Sequence, residues 1–309
     1  MPSLKGLLNR LNFREIPPSV STMEHLWSIG VYAGNSPADL KPAQGVSNPV
    51  LTRGAVSDVR AAFVADPFMI KVANSWHMFF EVWNGPSRKG EIGLATSQDG
   101  LKWAYQQIVL AESFHLSYPY VFEWIGAYYL VPESCQAASV RLYRAVNFPI
   151  SWAFVGNLLT GPYFADASVF RHQGRWWMYV ETNPEMKHDT LRLYSAEDLT
   201  GPWREHPKSP VLMSNGHCAR PAGRVLSLND RVIRYAQDCD PVYGTQVFGF
   251  EVIDLSSSSY KEQQLSDSPL LTGTGFGWNA SGMHHVDAHR LPDGRWLACV
   301  DGWQAVRAL

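Results

Sequence analysis

Asp66-Pro67-Phe68-Met69-Ile70, the turn Ala73-Asn74-Ser75, then Trp76-His77-Met78-Phe79-Phe80-Glu81: an apolar strand, a tight turn and an aromatic-rich strand ending on an acid. The same grammar returns four times. Tyr118-Pro119-Tyr120-Val121-Phe122 turns at Gly126 and closes Tyr128-Tyr129-Leu130-Val131-Pro132-Glu133. Asp166-Ala167-Ser168-Val169-Phe170 turns at Gly174 and closes Trp176-Trp177-Met178-Tyr179-Val180-Glu181. Arg220-Pro221-Ala222-Gly223-Arg224-Val225 is answered by Val232-Ile233-Arg234-Tyr235-Ala236-Gln237-Asp238. His284-His285-Val286-Asp287-Ala288 turns at Pro292-Asp293-Gly294 and closes Trp296-Leu297-Ala298-Cys299-Val300-Asp301. In the first three, opening residue and closing acid stand 15 positions apart. Strand pairs repeated at such a period predict an all-β fold, a five-bladed β-propeller.

Outer strands follow the hairpins: Ile92–Ser97, Arg141–Ala145, Leu191–Ser195 and, in the fourth unit, Gln246–Val252. The fifth hairpin has none after Trp303, and Trp27-Ser28-Ile29-Gly30-Val31-Tyr32 is expected to supply it. The ring would then be closed by an N-terminal strand, which removes the open edge. The expected layout is one propeller over 1–309, with 1–50 as an N-terminal segment and blades starting near 63, 115, 163, 217 and 283. Leu4, Leu7, Leu8 and Leu11 suggest a short helical turn at the start.

In a hairpin the start of one strand and the end of the next lie at the same end. One face therefore collects Asp66, Glu81, Tyr118, Glu133, Asp166, Glu181, Arg220, Asp238, His284, His285 and Asp301 near the axis. A concave ring of titratable groups is a functional-site candidate, with mutually perturbed pKa values.

The whole composition narrows the function classes. Hydrophobic residues make up 46% of the chain, enough for a large core, and Lys+Arg 26 against Asp+Glu 28 leaves a net charge of −2. Nothing in that balance points to nucleic acid or an anionic membrane. Twelve Trp, 13 Tyr and 14 Phe serve mainly blade packing, with a minority near the central face available to stack on sugars. Cys135, Cys218, Cys239 and Cys299 lack zinc spacing; Cys218 and Cys239 flank the fourth hairpin, and no disulfide is read from them. No signal peptide and no membrane span is read, so a cytoplasmic protein with reduced thiols and no cofactor is expected.

The blade grammar resembles the five-bladed propellers of family 43 glycoside hydrolases. Ala65-Asp66-Pro67 and Ala165-Asp166-Ala167-Ser168 match the blade-one base and the blade-three aspartate of those enzymes, and His284-His285 fits their blade-five histidine. The resemblance places an acid in blade four, where this chain has Arg220. A closer resemblance covers nearly the whole chain. Trp27-Ser28-Ile29-Gly30, Ala65-Asp66-Pro67-Phe68, His115 to Phe122, Pro132-Glu133-Ser134 and Arg141 to Ala145 are similar to the N-terminal propeller region of plant glucosamine inositolphosphorylceramide transferases. So are Gln237-Asp238-Cys239, Tyr243-Gly244 and His284-His285-Val286-Asp287. That family's sugar transfer is attributed to a separate C-terminal domain. The resemblance therefore implies a glycosidase-like propeller in glycan metabolism, standing alone.

Two readings follow. In one, Asp66, Asp166 and Glu133 are the carboxylates of a glycan-cleaving enzyme, which needs a pair about 5–5.5 Å or about 6.5–9.5 Å apart. In the other, the propeller binds a glycan without cleaving it, as accessory to a separate glycosyltransferase. Arg220 is a structural counter-charge, a pKa modulator or a contact for an anionic sugar. Glu181, Tyr118, Asp238, His284, His285 and Asp287 complete the expected carbohydrate contacts. Trp278-Asn279 forms either a sugar platform or a loop cover. His217, Asp238, His285 and Asp287 show no compact ligand spacing, and no metal is expected.

Overall fold

The computed structural model describes residues 23–228 and 231–307; the turn expected at Leu4–Leu11 lies outside them. Five antiparallel sheets make the five blades. The first runs Ala61–Val72, Ser75–Asn84, Lys89–Ser97 and Ala104–Leu110 from axis to rim. The second runs Ser117–Trp124, Ala127–Glu133, Ser139–Asn147 and Ser151–Thr160. The third runs Ala165–His172, Arg175–Glu181, Leu191–Ala196 and the short Arg204–Glu205. In the fourth, Arg220–Pro221 and Leu226–Leu228 both pair with Arg231–Gln237, followed outward by Gln246–Leu255 and Tyr260–Gln264.

The fifth sheet joins the two ends of the chain. Val286–Arg290 and Trp296–Arg307 continue outward into Met23–Ser36 and Asp39–Pro42. Met23 pairs with Arg307, Ile29 with Asp301 and Gly34 with Trp296 in unbroken register. The N-terminal strand thus closes the ring, as its lone position before the first hairpin predicted.

The inner strands lie between neighbouring blades and are buried on both faces, which explains their near-continuous apolar runs. Val64, Ala65, Phe68 and Met69 in blade one are sealed, as are Tyr120 and Val121 in blade two. Aromatic rings fill the seams between blades: Phe68 meets Tyr118 edge-on at 4.8 Å, and Phe79 meets Trp152 at 5.4 Å. Such pairs add about 0.5–1.5 kcal/mol each beyond the area they bury.

The repeat has a backbone signature. Asp66, Tyr118 and Asp166 take φ of 52°, 46° and 54°, in the left-handed region. At each, the pairing skips: Ala65 faces Glu81 and Phe68 faces Phe79; Ser117 faces Glu133 and Tyr120 faces Val131; Ala165 faces Glu181 and Ser168 faces Tyr179. These irregularities re-aim the opening side chain. Aspartate tolerates this conformation, because its short side chain bonds locally. Tyrosine does not, and Tyr118 is held there by its hydroxyl, which accepts the Gly223 N–H at 2.6 Å and lies 2.8 Å from Ser168 Oγ.

Blade four departs from the pattern. Its inner strand breaks between Pro221 and Leu226, where Gly223 at φ 131° forms a parallel bridge to Val286 of blade five. A Cβ on Gly223 would sit 1.9 Å from the Val286 carbonyl oxygen, so only glycine fits this seam.

Candidate functional site

Arg220 is the hub of a buried cluster of charged side chains near the axis. Its Nε donates to Asp166 Oδ2 at 2.6 Å, Nη1 lies 3.0 Å from His188 Nδ1, and Nη2 reaches Glu133 Oε2 at 3.4 Å. The guanidinium also lies over the Tyr243 ring, 5.1 Å from its centroid. Gln237 Nε2 donates to the same Asp166 Oδ2 at 2.9 Å, leaving Asp166 Oδ1 buried without a partner. Burial and the Arg220 charge lower His188 to about 3, so its imidazole is neutral and Nδ1 can accept from the guanidinium.

Asp66 is tied to both of its neighbours in the ring. Its N–H donates to Asp301 Oδ2 at 2.9 Å, and its own Oδ2 accepts the Tyr118 N–H at 3.2 Å. His284 Nδ1 sits 2.7 Å from Asp301 Oδ1, its Nε2 sits 3.6 Å from Asp66 Oδ1, and Trp27 packs on its ring at 4.0 Å. Burial disfavours charge on His284, but Asp301 outweighs it and the pKa is raised. Asp301 is lowered, since His284 overcomes its desolvation. Asp66, Asp301 and His284 are also the group whose donor atoms lie within 4.8 Å of one another among the described residues. The Asp301 carboxylate fixes His284 through Nδ1 and leaves Nε2 directed toward Asp66.

The remaining acids are pushed toward their neutral forms. Burial, reinforced by the Asp166 charge, raises Glu133 to about 8 against the pull of Arg220; Cys135 donates to its Oε1 at 3.2 Å. Burial raises Glu181 to about 7 although Oε1 accepts the Asn183 N–H at 2.7 Å; its Oε2 has no partner. Burial, with His284 opposing and Asp166 assisting, raises Asp66 to about 7. Glu81, which the hairpin repeat also brings to this face, is raised well above the carboxylate range by burial and then by Asp66, and lies 3.7 Å from His115 Nε2. One buried cluster therefore holds acids shifted in both directions, as sites of acid–base chemistry do.

The structure brings together Asp66, Glu133, Asp166, Glu181, Arg220 and His284, and removes other expected contacts. Tyr118 has no exposed surface and braces Gly223 instead of reaching a ligand. His285 is sealed between Phe68 and Tyr118, ring centroids 4.5 and 5.3 Å away, with both nitrogens unpartnered. Asp287 lies deeper along the strand. Met69 N–H and Arg224 Nε each donate to it at 2.6 Å, and despite burial Arg224 holds its pKa far below the usual range. Trp278 covers Gly30, where a Cβ would lie 2.7 Å from the indole, and Asn279 is buried against Tyr32, Thr274 and Met283. The platform reading fails for this pair because both are spent on the closing blade.

Arg220 pairs with Gln237, so Asp238 falls opposite Ala219, the place that Glu81, Glu133 and Glu181 hold in their blades, and it is Gln237 whose side chain bonds Asp166. Asp238 turns outward and bonds His217 Nδ1 at 2.9 Å and Gln246 Nε2 at 2.8 Å, while its carbonyl holds Gly244 and Thr245. This anchors the loop that carries Tyr243. Sequence reasoning also missed His188, Tyr243 and Cys135, which come from loops outside the strand repeat. All four cysteines are free thiols.

The five-bladed ring has the fold of glycoside-hydrolase-like propellers. The catalytic domain of the Coprinopsis cinerea GH62 α-L-arabinofuranosidase superposes with TM-score 0.61, 10% identity and coverage of 92% of this chain and 99% of that one. A thermostable family-43 glycoside hydrolase follows at TM-score 0.59 and 13% identity, covering 85% and 93%. At such identities the likeness is one of fold. The chain belongs to the family described as glucosamine inositolphosphorylceramide transferase 1, N-terminal, which matches residues 20–303. Glucosamine inositolphosphorylceramide transferase 1 of Oryza sativa subsp. japonica is 33% identical over 304 residues, 90% of this chain and 40% of the relative. Its Arabidopsis thaliana counterpart is 33% identical over 299 residues, 90% and 39%. The chain thus spans about two fifths of the length of these relatives. Among the described residues no helix is long and apolar enough to cross a membrane.

Proposed function

We propose that the axial site holds one sugar unit of a glycan or glycoconjugate, with Asp66 as base and Glu133 as acid at its glycosidic bond. The observation that carries this reading is that one axial ring holds two buried carboxyls in different settings, Asp66 beside the His284–Asp301 pair and Glu133 between Arg220 and Cys135. Burial raises both, so each can take or give a proton near neutral pH. Asp166, fixed by Arg220 and Gln237, sets the field at Glu133.

An anionic substituent on the sugar, one of the three roles weighed for Arg220, is disfavoured. The guanidinium is already engaged by Asp166, Glu133 and His188, and Asp66 and Glu181 lie close enough to feel its charge. A sugar bearing an amine suits this surplus of carboxyls, in keeping with the glucosamine of the relatives' name. A second reading is a non-cleaving glycan module working beside a separate glycosyltransferase. It is favoured by the contact of Arg220 with Glu133, which ties the acid to a cation.

The test is hydrolysis and binding across a panel of amino-sugar and neutral glycosides. Cleavage should show kcat/KM rising as Asp66 deprotonates through about 7 and falling as Glu133 deprotonates through about 8. Asp66→Asn and Glu133→Gln should each lose at least ~10²-fold in rate with the fold intact. Binding without cleavage assigns the second reading; neither binding nor cleavage rejects both.

A further inference from the structure

Two walls rise above the ring of acids. The blade-one hairpin continues beyond Glu81 to the pair Ala61–Asn84, and the closing blade continues beyond Asp301 to the pair Met23–Arg307. At about 3.3 Å per residue these walls overrun the acids by roughly 10 and 20 Å. Between them lies a groove of about 350 Å³, lined by His25, Trp27, Arg53, Phe63, Trp83 and Val306 among others. That volume lies at the low end of small-molecule sites, about 300–1,000 Å³.

The groove is built from flat rings. Phe63 and Trp83 stack at 5.6 Å with planes 19° apart, and His25 stacks on Trp303 at 3.8 Å and 24°. Two of its lining rings also touch the axial cluster. Trp27 lines the groove and packs on His284; Trp83 lines it and packs at 5.5 Å on His115, which faces Glu81. Glu24, His25 and Arg53 place polar groups among the rings. An acyl chain needs no such groups, whereas a sugar offers an apolar C–H face to the rings and hydroxyls to the polar atoms.

We propose that this groove is a second glycan subsite, in which a pyranose linked to the sugar in the axial site stacks against Trp83 and the Trp27–His25 wall. It rests on the axial site taking sugar, but makes a separate claim: the ligand is an oligosaccharide, read by two subsites on one face.

The experiment is calorimetry on the full chain with glucosamine, its β-1,4 tetramer and cellotetraose. The tetramer should bind about tenfold or more tightly than glucosamine, as expected of ring stacking. Trp83→Ala should erase that gain and leave glucosamine binding unchanged. Trp83→Leu, which keeps apolar volume against Phe63, should do the same and guards against misfolding. Glu133→Gln separates the two claims: loss of the monosaccharide with tetramer binding that still depends on Trp83 removes the axial reading and keeps the groove. Equal affinities for monomer and tetramers, a gain that survives both Trp83 variants, or no tetramer binding overturns the groove. So does Trp83-dependent binding of octyl glucoside but not of the tetramers, or tetramer binding that appears only once residues 1–22 are removed.

Discussion

At the scale of the residue, burial decides what each acid does. Asp66, Glu133 and Glu181 have folded values of about 7, 8 and 7, above their ordinary 3.8, 4.5 and 4.5, so the folded state binds more protons than the unfolded chain. Their contribution to stability is complete below about 4 and is lost as pH rises through 7 to 8. Asp287 and Asp301 are depressed, and theirs is present above about 3.8 and lost as pH falls. His188, lowered to about 3, adds stability that is lost as pH falls below about 6.5, so the clear window lies above that value, where the melting temperature should decline toward pH 8. Glu133→Gln, which cannot ionise, should flatten that decline. A melting temperature that climbs steadily from about pH 6.5 to 8 would show that these carboxyls are ionised in the folded protein.

At the scale of the element, the hairpins whose strands kept a fixed spacing were legible and the broken one was not. Asp66, Asp166 and Glu133 could be placed from spacing, because hairpin geometry delivers them to one end whatever the loops do. Tyr118 shares the opening position, yet its size turned it from a pocket wall into a brace; strand periodicity carries no information on side-chain reach. In blade four Gly223 interrupts the inner strand, and the contact of Gln237 with Asp166 follows from that local course rather than from the repeat. His188 and Tyr243 lie in loops whose course depends on contacts no periodicity encodes. The seam itself is testable. Gly223→Ala places a methyl 1.9 Å from the Val286 oxygen at φ 131° and should cost more than ~3 kcal/mol in chemical denaturation. Tyr118→Phe leaves the buried Gly223 N–H without its acceptor and should cost about 1–3 kcal/mol.

At the scale of the whole molecule, the fold depends on joining the first strand to the last. Met23–Ser36 lies between Trp296–Arg307 and Asp39–Pro42, and Ile29, Val31, Leu51, Leu297 and Cys299 share one buried cluster across that junction. Deleting residues 1–42 would leave Trp296–Arg307 as a long unpaired edge beside an uncovered core, a template for aggregation. Strand closure, however, asks only that the partner be present, not that it come first in the chain. Met23 stands directly opposite Arg307 in antiparallel register, so a two-residue Asn-Gly turn can join them as a hairpin. New ends can be opened between Gly45 and Val46, at a surface turn beyond Asp39–Pro42. The permutant 46–307, Asn-Gly, 23–45 keeps the strand pairs of the closing blade and should melt within about 5 °C of the parent. The deletion should be insoluble or lose its cooperative transition. If the deletion melts like the parent, the ring holds without its closing strand; if the permutant fails as the deletion does, chain order, rather than pairing, is what the N-terminal strand contributes.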